Sequence, residues 1–136
     1  MKTHDLIEIV ISEIDFYLNE KLREIRINKN PKIAQVTLSQ MIGVADGFVS
    51  KVENMKLSSK YNLWHINKII KIFNLKYSDL FPVLGVKNDI VRIRLQFKQT
   101  ASKDDKSYDV ISIVPLSENE MELFKVKKLP YSIKIK

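Results

Sequence analysis

The sequence contains no cysteine, and its 136 residues include only three glycines and two histidines. Without cysteine the chain cannot form disulfides, zinc–thiolate sites or a thiol nucleophile, and a reducing compartment, the cytoplasm, is expected. So few glycines exclude a glycine-rich loop for phosphates, and no helical stretch carries paired metal ligands. We therefore expect no enzyme activity, no catalytic residue, no metal and no cofactor.

Long apolar runs are also missing. No stretch reaches the roughly 18 residues that a membrane span requires. Acidic residues follow soon after the first positions, so no signal peptide is expected either. Hydrophobic residues nevertheless make up 45% of the sequence, which is enough for a packed core in one domain, or in one small domain with an appended element.

The net charge of +7 is distributed unevenly along the chain. Residues 5–24 contain six acids and two bases, so this stretch has a charge of −4. Residues 29–76 contain eight lysines and two acids and have a charge of +6, while residues 83–136 add +4 from eleven bases and seven acids. A polyanionic partner is therefore expected first at the middle of the chain.

The first part of the chain has the hydrophobic period of helices, because apolar residues recur every three or four positions. The spacing predicts helix over 1–28, either as one helix or as two with a break near Ser12. Two short helices follow within 33–54, a fourth begins after Asn62, and a last helical turn ends at Pro82.

After this helical part the period changes to two. Apolar and polar residues alternate over 91–98, as in a strand with one face in water. A hairpin loop is predicted at 100–107, a second strand at 108–114 and a third at 121–127, and the last residues alternate again. Such a small sheet has little core of its own, so it must pack on the helices or on another chain.

The two short helices within 33–54 flank a tight turn. Gly43 tolerates the left-handed backbone that ends a helix, and the next residue, Val44, points back into the core. A helix, a glycine, a core valine and a second helix are typical of a helix-turn-helix, whose second helix enters the major groove of DNA.

This turn belongs to a longer ordered pattern. Its segments are the lead-in Leu22-Arg23-Glu24-Ile25-Arg26, Gln35, the Gly43-Val44 turn, Val49-Ser50-Lys51-Val52-Glu53-Asn54, and Ile69-Ile70-Lys71-Ile72-Phe73-Asn74-Leu75 with Asp79-Leu80-Phe81. In this order and spacing, residues 20–82 resemble the Cro and phage-repressor family, also called the Xre family.

The resemblance implies a role for each residue of the motif. The recognition helix would span about 45–54, and its positions that match the base-facing side are Ala45, Asp46, Gly47, Ser50 and Lys51. The positions that match phosphate contacts are Gln35, Asn54, Lys56 and Lys60. Lys51 is the best base reader, since lysine can donate to guanine O6 and N7. Arg26 and Glu53 match a structural pair that joins the first helix to the end of the recognition helix.

Three residues depart from the family pattern. Asp46 stands where an amide or a basic side chain is common in the family. Its carboxylate could accept a hydrogen bond from cytosine N4 or stabilise the start of the helix. Gly47 offers no side chain to a base, and Met55 replaces the glycine that usually follows the Glu53-Asn54 pair.

The fold class that we expect is mainly α: a repressor-like helix-turn-helix bundle of about five helices, followed by a small C-terminal antiparallel β-sheet. The expected domains are a DNA-binding domain at 1–82, a linker at 83–88, and a sheet at 89–136 for dimerisation or partner contact.

The function that we expect is that of a sequence-specific, double-stranded DNA-binding transcriptional regulator, a repressor by family resemblance. It would act as a homodimer, with the C-terminal sheet as the dimer contact, because an exposed strand edge can pair with a second copy. One alternative is an antitoxin-like or mobile-element interaction protein whose C-terminal sheet binds another protein. A second is a binder of RNA or single-stranded nucleic acid that uses Arg92, Arg94 and Lys98, although these side chains are more simply the wet face of a sheet.

Overall fold

The computed structural model describes residues 5–100 and 106–136, and these form four strands, five α-helices and one 3₁₀ turn. In chain order the elements are β1 (Leu6–Ser12), α1 (Glu13–Ile27), α2 (Gln35–Ile42), α3 (Phe48–Glu53), α4 (Leu63–Phe73), the 3₁₀ turn (Tyr77–Asp79), β2 (Ile90–Phe97), β3 (Tyr108–Pro115), α5 (Glu118–Lys125) and β4 (Ser132–Lys134).

The chain divides into two compact units. The helical unit, Ile14–Val86, contains α2, α3, α4 and nearly all of α1. The sheet unit consists of the described residues up to Glu13 together with those from Lys87 onward, and it contains the four strands and α5.

The expected fold class, a helical bundle followed by a small C-terminal sheet, is wrong. The sheet has the strand order β3-β2-β1-β4, every neighbouring pair is antiparallel, and strands from both ends of the chain take part. β1 lies between β2 and β4, so the N-terminal stretch is an interior strand and not the start of a helical domain.

Residues 6–12 form β1 because their side chains suit a strand. Ile7, Ile9, Val10 and Ile11 are all buried, and β-branched residues favour the extended backbone. The prediction of helix over 1–28, as one helix or as two, is therefore wrong for residues 6–12. It is correct only for α1, which begins at Glu13. β1 pairs with β2 along its full length, from Leu6 opposite Gln96 to Ser12 opposite Ile90.

Two of the strands predicted in the second half of the chain are confirmed. β2 alternates between buried and half-buried residues along its whole length, and β3 pairs with it as an antiparallel neighbour. The hairpin loop predicted between them at 100–107 falls mostly on residues 101–105, which lie outside the described residues.

The strand predicted at 121–127 is wrong, because this stretch belongs largely to α5. Ser117 begins the helix with a capping box: its hydroxyl accepts from the Glu120 N–H at 3.2 Å, and the Glu120 carboxylate accepts from the Ser117 N–H at 2.9 Å. The alternation at the chain's end is confirmed as β4, which pairs with β1.

The helical unit is built around one cluster of buried residues from all four of its helices. The predicted helix after Asn62 is confirmed as α4, and the predicted last turn is the 3₁₀ turn. The buried cluster consists of Leu18, Leu22, Leu38, Ile42, Val49, Val52, Tyr61, Ile66, Ile69, Ile70 and Leu80.

Candidate nucleic-acid interface

Gly43 ends α2 as the sequence predicts. Its φ of 92° is in the left-handed region, which a glycine adopts without steric strain. The Gly43 N–H donates to the carbonyl oxygens of Ser39 at 3.0 Å and Gln40 at 3.1 Å, and the Val44 N–H donates to the Ser39 carbonyl at 3.1 Å. These bonds close the end of α2 and turn the chain toward α3.

Ser39 joins α2 to α3 through a buried hydroxyl, a contact that the sequence analysis missed. The Val49 N–H donates to Ser39 Oγ at 3.1 Å, and the hydroxyl donates to the Gln35 carbonyl oxygen at 3.1 Å. N–H groups in the first turn of a helix lack partners within the helix, so this hydroxyl satisfies one of them in α3. The available signal was a small polar residue beside Leu38 and three positions before Ile42, which are both buried.

Arg26 and Glu53 form a buried ion pair beneath α3. Arg26 is fully buried and the Glu53 side chain is 4% exposed. The guanidinium donates to both carboxylate oxygens, from Nε at 2.9 Å and from Nη2 at 2.7 Å, and Arg26 Nη1 donates to the Ile33 carbonyl at 2.7 Å. This bidentate geometry ties α1 to the end of α3 and to the segment before α2.

Gln35 belongs to the same network. Its side-chain amide donates to Glu53 Oε1 at 2.9 Å, so the first residue of α2 is held to the last residue of α3. Ala34, which precedes it, supplies no side-chain acceptor to the first turn of α2, in contrast to Asn62 before α4.

Aromatic side chains from three segments pack where α3 begins. The ring centroids of Phe48 and His65 are 4.5 Å apart, and those of Phe48 and Tyr61 are 5.9 Å apart. Burial raises the pKa of the Tyr61 hydroxyl above its usual range, and the negative charge of Glu53 raises it further. Tyr61 therefore stays neutral at physiological pH.

His65 also caps α4. Asn62 Oδ1 accepts from the His65 N–H at 2.9 Å, and His65 Nδ1 accepts from the Asn62 N–H at 3.0 Å. A ring nitrogen accepts a hydrogen bond only when it is unprotonated. Burial lowers the pKa of His65 below its ordinary value of 6.5, which favours the form that makes this bond.

α3 is shorter than the predicted recognition helix of 45–54, because it spans Phe48–Glu53. Ala45, Asp46 and Gly47 form an exposed turn before it, closed by a hydrogen bond from the Phe48 N–H to the Ala45 carbonyl at 3.0 Å. The Asp46 carboxylate accepts from the Gln40 amide at 3.4 Å. The three predicted base-facing residues at 45–47 are thus on the surface, but in a turn.

The outer side of α3 is polar and its inner side is apolar. Val49 and Val52 are fully buried, whereas Ser50 and Lys51 are exposed. The Asn54 side chain follows them on the surface, and its Oδ1 accepts from the Lys56 N–H at 3.0 Å. Among the described residues, no carboxylate lies within ion-pair distance of Lys51, which leaves its ammonium group available for a ligand.

The loop after α3 contains the other predicted phosphate contacts. Lys56 and Lys60 are exposed, but Lys60 Nζ lies 3.4 Å from Asp15 Oδ2, in an ion pair with α1. Met55 is 2% exposed, so the residue that departs from the family pattern packs inward. Ser50, Lys51, Asn54 and Lys56 are therefore all exposed along one short stretch of the chain, whereas Lys60 has an ion-pair partner in α1.

The basic residues of β2 are held by carboxylates. Arg92 Nη1 donates to Glu8 Oε1 at 3.1 Å and Nη2 to Glu120, and Arg94 Nη2 donates to Glu8 Oε2 at 3.0 Å. Lys98, the residue after the strand, donates from Nζ to Asp109 Oδ1 at 3.0 Å. These pairs make the strand a charge-balanced face and not a cationic one.

Neither a metal site nor a membrane-spanning helix is found within residues 5–100 and 106–136. In that part of the chain no group of three or more histidine, cysteine or acidic side chains is placed to hold a metal ion. The helices found there are too short or too polar to cross a bilayer.

The chain is thus a small protein of two units. In its helical unit, α2, the turn at Gly43 and α3 have the order of a helix-turn-helix, and the outer side of α3 is polar and exposed. Comparison of the chain with protein-family models, with curated proteins and with solved structures gave no match.

Proposed function

We propose that the helical unit binds double-stranded DNA and reads its sequence with α3, as the resemblance of residues 20–82 to the Cro and phage-repressor family implies. The observation that carries this proposal is the outer side of α3, where Ser50 and an unpaired Lys51 stand exposed above two buried valines. A B-form major groove about 12 Å wide admits a helix that presents such side chains.

Lys51 is the proposed base reader. Its ammonium group can donate to guanine O6 and N7, and Ser50 beside it can donate or accept. The buried bonds behind α3, from Ser39 and from Arg26 to Glu53, hold this surface in one position. A helix that is already held in position loses little conformational entropy when it binds DNA, which favours sequence-specific binding over non-specific binding.

Phosphate contacts are proposed at the first turn of α2 and in the loop after α3. The N-terminal turn of α2 has no side-chain cap, so its backbone N–H groups suit a phosphate oxygen, and the Gln35 amide has a second N–H beyond the one that bonds Glu53. Lys56 lies in the loop after α3 and is a proposed phosphate contact. Lys60 contacts a phosphate only if the phosphate displaces Asp15 from its ion pair with Lys60. Such contacts supply most of the affinity and make it dependent on salt.

In this proposal the protein is a transcriptional regulator that acts in the cytoplasm, where a chain without cysteine loses nothing to reducing conditions. A single recognition helix covers only a few base pairs, so two copies on adjacent half-sites would supply the needed selectivity.

A second candidate function is that of an interaction protein whose sheet unit binds another protein. It is favoured by exposed apolar side chains on β3 and α5, among them Ile111, Val114 and Leu123. Co-purification from the native host separates the two, because a stoichiometric foreign partner supports this candidate and a homogeneous protein opposes it. Binding of single-stranded nucleic acid by β2 is disfavoured by the ion pairs of Arg92 and Arg94.

The experiment that tests DNA binding is selection of bound fragments from random duplex DNA, followed by titration of a selected duplex at several salt concentrations. We expect enrichment of one sequence and an affinity that falls as salt rises. The Lys56→Ala variant should reduce the log–log salt slope by about one. Lys71→Ala, an equal charge change in the last turn of α4, is the matched control and should leave the slope unchanged. A pool without enrichment, or equal slopes for both variants, would overturn the proposal.

A further inference from the structure

The sheet has two outer strands, β3 and β4, and they differ in how far they are protected. Outer strands leave a row of backbone N–H and C=O groups unpaired, which can pair with another chain. β4 is three residues long and contains Lys134, with Lys136 just beyond it, and short or lysine-bearing edges resist pairing. β3 is eight residues long, and its one charged residue, Asp109, is already paired with Lys98.

β3 also exposes apolar side chains. Val110, Ile111, Ile113 and Val114 are all more than a third exposed, and no described strand pairs with the outer side of β3. Apolar β-branched residues on a long outer strand favour burial against a further strand.

The sequence of β3 is self-complementary. Residues 110–114 read Val-Ile-Ser-Ile-Val, the same in both directions about Ser112. A two-fold interface pairs residue i of one copy with residue j of the other and j with i. Antiparallel pairing centred on Ser112 therefore places Ile111 opposite Ile113 and Val110 opposite Val114, so every cross-strand pair joins identical side chains.

The backbone of β3 fits this register. The Leu116 N–H donates to the Ile90 carbonyl at 3.3 Å, so by alternation Val114 and Ser112 direct their backbone groups toward β2 and Ile113 directs its own outward. Ile111 has no partner in β2, because a β-bulge places it between the residues paired with Arg94 and Leu95.

Pro115 and the bulge limit where a second strand can pair. Pro115 has no N–H to donate, and the bulge bends the strand at its other end. The register centred on Ser112 uses the outward N–H group of Ile113 from each copy, whereas a shift toward Pro115 meets a residue with no donor. These two features select one register and do not block the edge.

We propose that two copies of this chain pair through β3, antiparallel and centred on Ser112, to form one continuous eight-stranded sheet. A five-residue strand pair is small for a protein interface, so the dissociation constant is expected to be on the order of micromolar. The pairing does not depend on DNA binding. Only its consequence, two helical units for two half-sites, rests on the proposed function.

Sedimentation of the full chain without DNA tests the dimer. We expect a reversible monomer–dimer equilibrium between about 1 and 100 µM. Ile113→Lys should be monomeric throughout this range, and Ile133→Lys on β4 is the matched control, since both isoleucines are 41% exposed. A monomeric native protein, a dimer that survives Ile113→Lys, or a loss of dimer in Ile133→Lys alone would each overturn the proposal. Circular dichroism verifies that both variants are folded.

A cysteine at the two-fold axis tests the register. Because the chain has no native cysteine, Ser112→Cys introduces a single thiol. Opposed residues that share no hydrogen bond have Cα atoms about 4.5 Å apart, within the range of a disulfide. We expect rapid oxidation of Ser112→Cys to a covalent dimer and at least tenfold slower oxidation of Ser132→Cys on β4. Equal rates would overturn the register, whether or not the protein binds DNA.

Discussion

The helical unit and the sheet unit place charge in opposite ways. In the helical unit, Arg26 and Glu53 are sealed inside as a pair, and Lys51 stands outside without one. In the sheet unit, Arg92 and Arg94 are paired with Glu8 and Glu120, while apolar residues of β3 are exposed. The first unit therefore exposes a cation without an ion pair, and the second exposes an apolar edge.

This difference shows that net charge alone is a poor guide to a binding surface. The bases of β2 contribute as much to the total of +7 as an equal number of lysines in the helical unit do. Only the position of the carboxylates distinguishes the two sets of basic side chains. A basic side chain that already forms an ion pair within the chain must give up that pair before it can contact a phosphate.

The largest expected effect compares the buried pair with the surface pair. Glu53→Ala leaves the Arg26 guanidinium buried without its carboxylate, and we expect the free energy of unfolding to fall by about 3–5 kcal/mol. Glu8→Ala leaves Arg92 with Glu120 and Arg94 partly in water, so its loss should stay below about 2 kcal/mol. Urea unfolding followed by circular dichroism measures both. Equal losses would contradict the contrast between the two units.

A smaller effect is expected at the bond between α2 and α3. Ser39→Ala leaves the buried Val49 N–H without an acceptor, which should cost about 1–3 kcal/mol. The matched control, Ser50→Ala on the exposed side of α3, should change stability by less than about 0.5 kcal/mol. A loss at Ser50 as large as at Ser39 would mean that the outer side of α3 is structural and not available to a ligand.

The smallest expected effect is a difference in how the two helix caps respond to acid. Burial lowers the pKa of His65 below 6.5, and hydrogen bonds from the Ser117 backbone and from Arg92 lower that of Glu120 below 4.5. A lowered folded-state pKa adds stability above the unfolded value, and this stability is lost as pH falls through the folded pKa. The α4 cap should therefore weaken from pH 6.5 downward and the α5 cap only below pH 4.5. NMR titration of both side chains checks this order, and a His65 pKa at or above 6.5 would contradict it.

Local structure in the helical unit was predictable because its signals are local. Gly43 marks the end of α2 and Asn62 the start of α4, each through bonds to residues within five positions. Ser39 was missed since its acceptor role depends on Val49, ten positions away. The start of α3 was also mispredicted, because a turn at residues 45–47 replaces the predicted first helical turn.

The sheet was mispredicted because its pairing is not local. Ile7, Val10 and Ile11 fit a helical stripe as well as a buried strand, and only pairing with residues 90–96 decides between them. The enrichment of β-branched residues in β1 was the available signal. At α5 the missed signal was the spacing of Ser117 and Glu120, a capping box that marks a helix start.

The contact between Lys51 and a base is the central claim, and one measurement tests it most directly. Lys51→Ala and the matched control Lys71→Ala are titrated with a selected duplex and with a random duplex of equal length and salt. Lys51→Ala should reduce the ratio of specific to random affinity by about tenfold, within the 1–3 kcal/mol that a base contact supplies, and Lys71→Ala should leave that ratio unchanged. An unchanged ratio for Lys51→Ala, or an equal fall for both variants, would contradict the assignment of α3 as the element that reads DNA.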